Sequence, residues 1–268
     1  MASSARRKRL MELTADSPIS AVDLFCGCGG LTHGLLCAGI KVEAGIDIDA
    51  QMEYAYVTNN PGAAFLRWDV ADTNSRSIAG LFDSGKHRLL AGCAPCQPFS
   101  KLTNGVKKHQ AWDLLDYFGN FVADIRPELV TMENVPELAD RGRTVFDRFV
   151  ATLRKCDYHV DWRVVHCPEY GVPQSRRRLV LLASRLGEIE VPDGRYRHPS
   201  RWRTVRQTIG RLRPLEAGEE DPFDPMHAAS RLSSLNLERI RATRHDGGTR
   251  HDWPDRLVLD LSLIHISE

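Results

Sequence analysis

No apolar run in this 268-residue chain approaches the roughly 20 residues a helix needs to cross a bilayer, so no membrane partner is expected. The opening stretch, Met1 to Arg9, is small and basic and lacks the apolar core of a secretory signal. The seven cysteines are an odd number with no spaced framework, which argues against a disulfide-stapled secreted domain and for a reducing cytoplasm. Internal repeats are missing as well, which excludes a solenoid or propeller. What remains, with 42% hydrophobic and 26% charged residues, is material for one full globular domain and part of another.

A large net charge is also lacking, at +1, but the charge is unevenly distributed. From Glu12 to Asp69 there are eight acidic residues and two basic; from Arg176 to Arg213 there are eleven arginines against three acidic residues, about +8. A polyanion would meet the second stretch and not the first. The basic run Arg6 to Arg9 reads as a solvated, flexible tail spanning residues 1–17.

From Ile19 onward, short β-branched runs alternate with helical stretches. Strands are expected at Ala21–Phe25, Val42–Ile46, Ala64–Leu66, Leu89–Ala91, Leu129–Met132, Tyr158–His166 and Leu179–Ser184. Helices are expected at Leu31–Ala38, Ala50–Asn59, Arg76–Phe82, Leu114–Ile125 and Thr144–Lys155. That alternation predicts a doubly wound α/β domain over residues 18–185. Beyond it arginine, proline and short polar stretches dominate, and residues 186–268 read as a linker and a second, incomplete domain.

Several stretches carry chemistry. Asp23-Leu-Phe-Cys-Gly-Cys-Gly-Gly30 follows the first strand, and its glycines 27, 29 and 30 let the backbone approach a ligand while the next helix points amides at it. A Rossmann dinucleotide fingerprint would want a further glycine where Thr32 stands. Asp47, at the end of the second strand, sits where an acidic side chain can accept from ribose hydroxyls; a solvated strand-end carboxylate is the bland alternative, for Asp69 also. Gly92 to Ser100 places Cys96 between two prolines on a stiffened loop after the fourth strand, which makes it a candidate nucleophile. Glu133 ends the fifth strand, and in Gln174-Ser-Arg-Arg-Arg178 the alternation of an extended segment turns Arg176 and Arg178 to one face and Arg177 to the other. Cys93-Ala-Pro-Cys96 also fits the spacing of thiol oxidoreductases, and with Cys26-Gly-Cys28 it could form a metal set. Pro98 disfavours a helix start after the pair, and zinc would leave the glycine loop and Glu133 unexplained, so no metal is assigned and Cys93 reads as core.

As an ordered set, Phe25-Cys-Gly-Cys-Gly-Gly30, Pro95-Cys96-Gln97, Glu133-Asn-Val135 and Gln174-x-Arg-x-Arg178 resemble the DNA cytosine-5 methyltransferases of bacterial or phage type. The resemblance implies a Rossmann-like domain that binds S-adenosyl-L-methionine through Phe25, Gly27, Gly29, Gly30, Asp47, Ile48, Asp69 and Pro95. It implies double-stranded DNA as partner, with Cys96 adding to carbon 6 of a flipped cytosine and Glu133 stabilising the resulting charge. Arg178 would contact the base or the carboxylate, and Arg176 would hold the cysteine loop and backbone phosphate. It further implies a cytoplasmic monomer, with a restriction endonuclease as a possible functional partner.

Residues Asp224 to Asp260 resemble the opening of a target-recognition domain, whereas the family's later segments are absent and Leu261 to Glu268 match nothing in it. The chain therefore reads as carboxyl-terminally truncated, with its last residues foreign or read-through. Weak cofactor binding and little turnover are the corresponding expectations. Two other readings stay open: a methyltransferase acting on transfer RNA, and a non-catalytic DNA-binding fragment.

Overall fold

Each of the seven expected runs forms a strand in a computed structural model that describes residues 4–95, 110–224, 227–245 and 247–258. The chain separates into two compact units, residues 2–210 and residues 211–268 together with Met1.

In the larger unit, α1 (Ser4–Thr14) leads into β1 (Ile19–Leu24), α2 (Gly30–Cys37), β2 (Lys41–Asp47), α3 (Glu53–Asn59), β3 (Ala64–Arg67), α4 (Ser75–Ala79) and β4 (His87–Gly92). Then come α5 (Gln110–Ile125), β5 (Leu129–Asn134), α6 (Arg143–Lys155), β6 (His159–His166), β7 (Arg177–Ser184) and the short α7 (Val205–Ile209). The strands form one sheet in the order β3-β2-β1-β4-β5-β7-β6. The first five are parallel, and β7 runs antiparallel between β5 and β6. This is the doubly wound α/β architecture expected from the alternation.

Both faces of the sheet are covered, which is why the central strands are nearly uninterrupted apolar runs. One face buries Val22, Leu24, Leu90, Val130 and Met132 with Phe118, Phe146 and Phe149. The other buries Ala21, Val42 and Leu89 with Leu36 and Tyr56. Strand order reverses between β1 and β4, so the connections leave in opposite directions and open a crevice at the carboxyl ends of those strands. The register aligns Leu24 with Gly92 and with Ile46, and Gly92 with Met132, bringing four strand ends level at that crevice.

The amino-terminal segment departs from the expected flexible tail. Residues Ser4–Thr14 are helical because Leu10, only 5% exposed, gives the helix something to bury against Ala21, Leu36 and Val42. The Thr14 hydroxyl donates to the Leu10 carbonyl at 3.0 Å, and Arg6 Nη2 lies 2.9 Å from His33 Nε2 on α2. α4 is also shorter than expected, closing at Gly80 after an Asn74 cap whose side chain accepts from the Ser77 amide.

The smaller unit holds α8 (Ser234–Ala242), started by the Ser233 hydroxyl accepting from the Asn236 amide. Arg239 stacks over the Trp253 ring and donates to the Leu257 carbonyl at 2.9 Å, while Trp253 Nε1 donates to the Thr243 hydroxyl at 2.8 Å.

Candidate active site

The loop after β1 begins with Phe25 in the left-handed region, at φ +57°, a conformation that costs a bulky residue about 1 kcal/mol or more. It is fastened on two sides. The Cys26 amide donates to the Ile46 carbonyl at 3.1 Å, and the Gly27 amide donates to Asp47 Oδ2 at 2.8 Å. Gly29 caps α2 at φ +86°, where a Cβ would stand 2.1 Å from Asn60 Nδ2 and 2.8 Å from the Tyr56 ring. Packing from below therefore demands glycine at 29. Gly27 needs its positive φ, but a Cβ at 27 or at 30 would meet nothing within 4 Å, so the space over these two positions is open.

Beneath the loop lies a polar network that the sequence reading did not single out. Asp23, fully buried on β1, accepts from the Thr32 hydroxyl at 2.7 Å, and that hydroxyl lies 3.2 Å from the Tyr56 hydroxyl. Asp23 Oδ1 has no hydrogen-bond partner among the described residues. Burial pushes its carboxyl from 3.8 up to about 7 against the hydrogen bonds from Thr32, with the neighbouring Asp47 charge adding to the rise. The clue in the sequence is a charged residue amid an apolar strand.

Asp47 is held by backbone on both oxygens, Oδ2 by Gly27 and Oδ1 by the Asp49 amide at 2.9 Å, leaving one lone pair on each for a ligand. Ile48, next to it, is 61% exposed, an apolar side chain with an open face. Asp69 accepts from the Ala71 amide at 2.9 Å and lines a crevice with Trp68, Thr73 and Asn74.

Across the crevice, Arg178 Nε donates to Glu133 Oε1 at 2.6 Å. Glu133 stands opposite Val180 in the β5–β7 ladder, which brings Arg178 within reach diagonally. Burial raises the Glu133 carboxyl above its ordinary value, opposed by a hydrogen bond from the Cys93 thiol and by the charge of Arg176. Arg176 is exposed, its carbonyl accepting from the Cys167 amide at 2.8 Å. Arg177 pairs with His166 in the ladder.

Pro95 is half-buried, and the loop leading to it is fixed by Asn134 Nδ2, which donates to the Ala94 carbonyl at 2.9 Å. Asn134 is a second residue the sequence reading passed over, although it stands inside Glu133-Asn-Val135. Cys93, expected in the core, is half-buried, and burial pushes its thiol up. Cys96 lies outside the described residues.

A family model described as C-5 cytosine-specific DNA methylase matches residues 19–249. The chain is 43% identical over 242 residues to the type II methylase M.HgiDII of Herpetosiphon aurantiacus, covering 90% of this chain and 68% of that protein. It is 31% identical to the type II methyltransferase M.XorII of Xanthomonas oryzae pv. oryzae, covering 74% of this chain and 47% of that protein. Among solved structures, a putative DNA modification methyltransferase encoded within a prophage of E. coli aligns with TM-score 0.63 at 23% identity, over 75% of this chain and 57% of that one. The Dnmt2 methyltransferase of S. pombe aligns with TM-score 0.53 at 21% identity, over 64% of this chain and 52% of that one.

Proposed function

Since this chain belongs to the C-5 cytosine-specific DNA methylase family, we propose that it methylates carbon 5 of cytosine within a specific double-stranded DNA sequence, drawing the methyl group from S-adenosyl-L-methionine. The observation that carries the reading is the pairing of Glu133 with Arg178 at 2.6 Å, one residue from the Asn134 clamp on the loop that leads to Cys96.

The residues at the ends of β1, β2 and β3 suit the cofactor. Asp47 keeps a free lone pair on each oxygen for the ribose hydroxyls, Ile48 offers an apolar face to adenine, and Asp69 can accept from the adenine amino group. The space above Gly27 and Gly30 admits the methionine portion, Phe25 walls the β1 side and Pro95 the β4 side. Bound there, S-adenosyl-L-methionine would supply an electrophilic methyl group.

The remaining chemistry falls to the protein. Carbon 5 of cytosine is a poor nucleophile inside a stacked duplex, so the base is first swung out into the crevice. The Cys96 thiolate adds to carbon 6, which builds negative charge into the ring. Glu133 shares a proton with ring nitrogen 3 and accepts from the exocyclic amine; a raised carboxyl holds that proton more readily. Arg178 orients Glu133 through their ion pair, and the positive field of Arg176 and Arg178 favours a thiolate at position 96 over the thiol of ordinary pKa about 8.5. Removal of the carbon 5 proton then releases Cys96.

The arginine-rich stretch from Arg176 to Arg213 supplies contacts for the DNA backbone. As the family resemblance implies, the enzyme would act as a cytoplasmic monomer beside a cognate restriction endonuclease. The test is covalent trapping on duplexes containing 5-fluorocytosine, with S-adenosyl-L-methionine present. A denaturation-resistant complex with the duplex, absent in Cys96→Ala, is expected. Trapping on transfer RNA instead would move the substrate to RNA, and trapping on neither would leave a DNA-binding fragment without turnover.

A further inference from the structure

The basic run Arg6 to Arg9, expected as a solvated tail, is instead fixed to the body of the larger unit, and it lies at the crevice end. α1 and α2 run alongside each other in the same direction. Arg6 Nη2 meets His33 Nε2 at 2.9 Å one turn into α2, whereas the Leu13 carbonyl would stand 3.5 Å from a Cβ on Gly39, past the end of α2. α2 itself starts where the glycine loop ends, the His33 amide donating to the Gly29 carbonyl at 2.8 Å. The first turns of α1 therefore sit beside the carboxyl ends of the strands, where the crevice opens. Leu10 and Thr14 are buried and hold the helix there, and His33 is fixed in turn by its Nδ1, 3.1 Å from the Asn59 carbonyl.

What this placement exposes is unbalanced charge. Arg7, Lys8 and Arg9 are all exposed, no acidic residue stands in the first turn of α1, and α2 contains none at all. Lys8 reaches Glu12 at 3.8 Å, but among the described residues Arg7 and Arg9 have no ion-pair partner. Neighbouring cations repel one another, and the amino end of a helix already carries partial positive charge, so the arrangement weakens α1. A polyanion laid across it would relieve that repulsion.

We propose that the first two turns of α1 are a second contact surface for double-stranded DNA held at the crevice, with Arg7 and Arg9 each set against a backbone phosphate. The inference rests on the reading of the chain as a DNA methyltransferase. Sheet order places α1 on the β1 side, whereas the arginine stretch that begins at Arg176 enters at β7, beyond β4 and β5. The duplex then meets cations on both sides of the crevice. Contacts of this kind read no bases; they add affinity and salt dependence.

The experiment measures binding of the 268-residue chain to a fluorescein-labelled duplex by anisotropy, at salt from about 50 to about 200 mM. Removing both charges in Arg7→Gln, Arg9→Gln should flatten the slope of log affinity against log salt by about 2, one phosphate contact for each residue. The charge-matched control is Arg154→Gln, Lys155→Gln, at the end of α6 that leads into β6 and so at the opposite edge of the sheet. Its slope should stay that of the unsubstituted protein. Arg7→Lys, Arg9→Lys keeps the charges and should keep the slope. Equal slopes for the two glutamine variants, loss of slope in the lysine variant as well, or no binding by the unsubstituted chain would each overturn the proposal. Failure of the methyltransferase reading would show separately, as absent trapping on 5-fluorocytosine with the slope difference still present.

Discussion

Asp23→Asn should remove a pH-dependent strain from the floor of the crevice. The buried carboxyl is raised from 3.8 to about 7, so the folded protein binds this proton more tightly than the unfolded chain does. Its stabilising contribution is fully present below about pH 4 and is lost as pH rises through about 7. The span corresponds to about 4 kcal/mol at most, a large part of the 5–15 kcal/mol that is typical for a domain of about this kind. Asparagine keeps the acceptor for Thr32 and cannot ionise, but it places an amide where Oδ1 has no partner among the described residues, which costs about 1–3 kcal/mol at every pH. The variant should therefore be the less stable protein at pH 4 and should gain on the unsubstituted one by several kcal/mol between pH 4 and pH 8. Urea unfolding of both proteins at intervals across that range gives the difference directly, because all other groups titrate alike in the two. Parallel stability curves would refute the account of Asp23.

Gly29→Ala should cost about 3 kcal/mol in chemical denaturation and abolish cofactor binding by calorimetry, because the new Cβ meets Asn60 Nδ2 at 2.1 Å with φ at +86°. Glu133→Gln should lower the methylation rate by about 10²–10⁴-fold, with a stability change near 1 kcal/mol because the carboxylate is 38% exposed; single-turnover kinetics beside a melt separates the two. Leu10→Ala should free α1 at a cost of about 2–3 kcal/mol, read as faster hydrogen exchange at residues 4–14 with the sheet unchanged.

The strands were legible because a parallel sheet buried on both faces leaves runs such as Leu89-Leu90-Ala91, with no polar face to confuse the pattern. Sheet order was not. Nothing local in Arg177–Ser184 says that it inserts between β5 and β6, so the diagonal that joins Arg178 to Glu133 is a property of topology and not of spacing. The glycine loop turns tightly, with positive φ at Gly27 and Gly29, yet the reason for Gly29 lies in Tyr56 and Asn60, about 30 residues away in sequence. Asp23 was missed because burial gives it its character, and burial of a single polar side chain cannot be counted from its neighbours in sequence. α1 failed through a similar omission, since one leucine outweighed the basic run around it.

β7 carries a consequence for how such a protein can change. Glu133 sits opposite Val180 in the antiparallel β5–β7 ladder, two residues along β7 from Arg178, so their separation is set by main-chain hydrogen bonding within the larger unit. The pair travels with the sheet. On the reading proposed above, loops that extend from the sheet can then be lengthened, shortened or exchanged without retuning it.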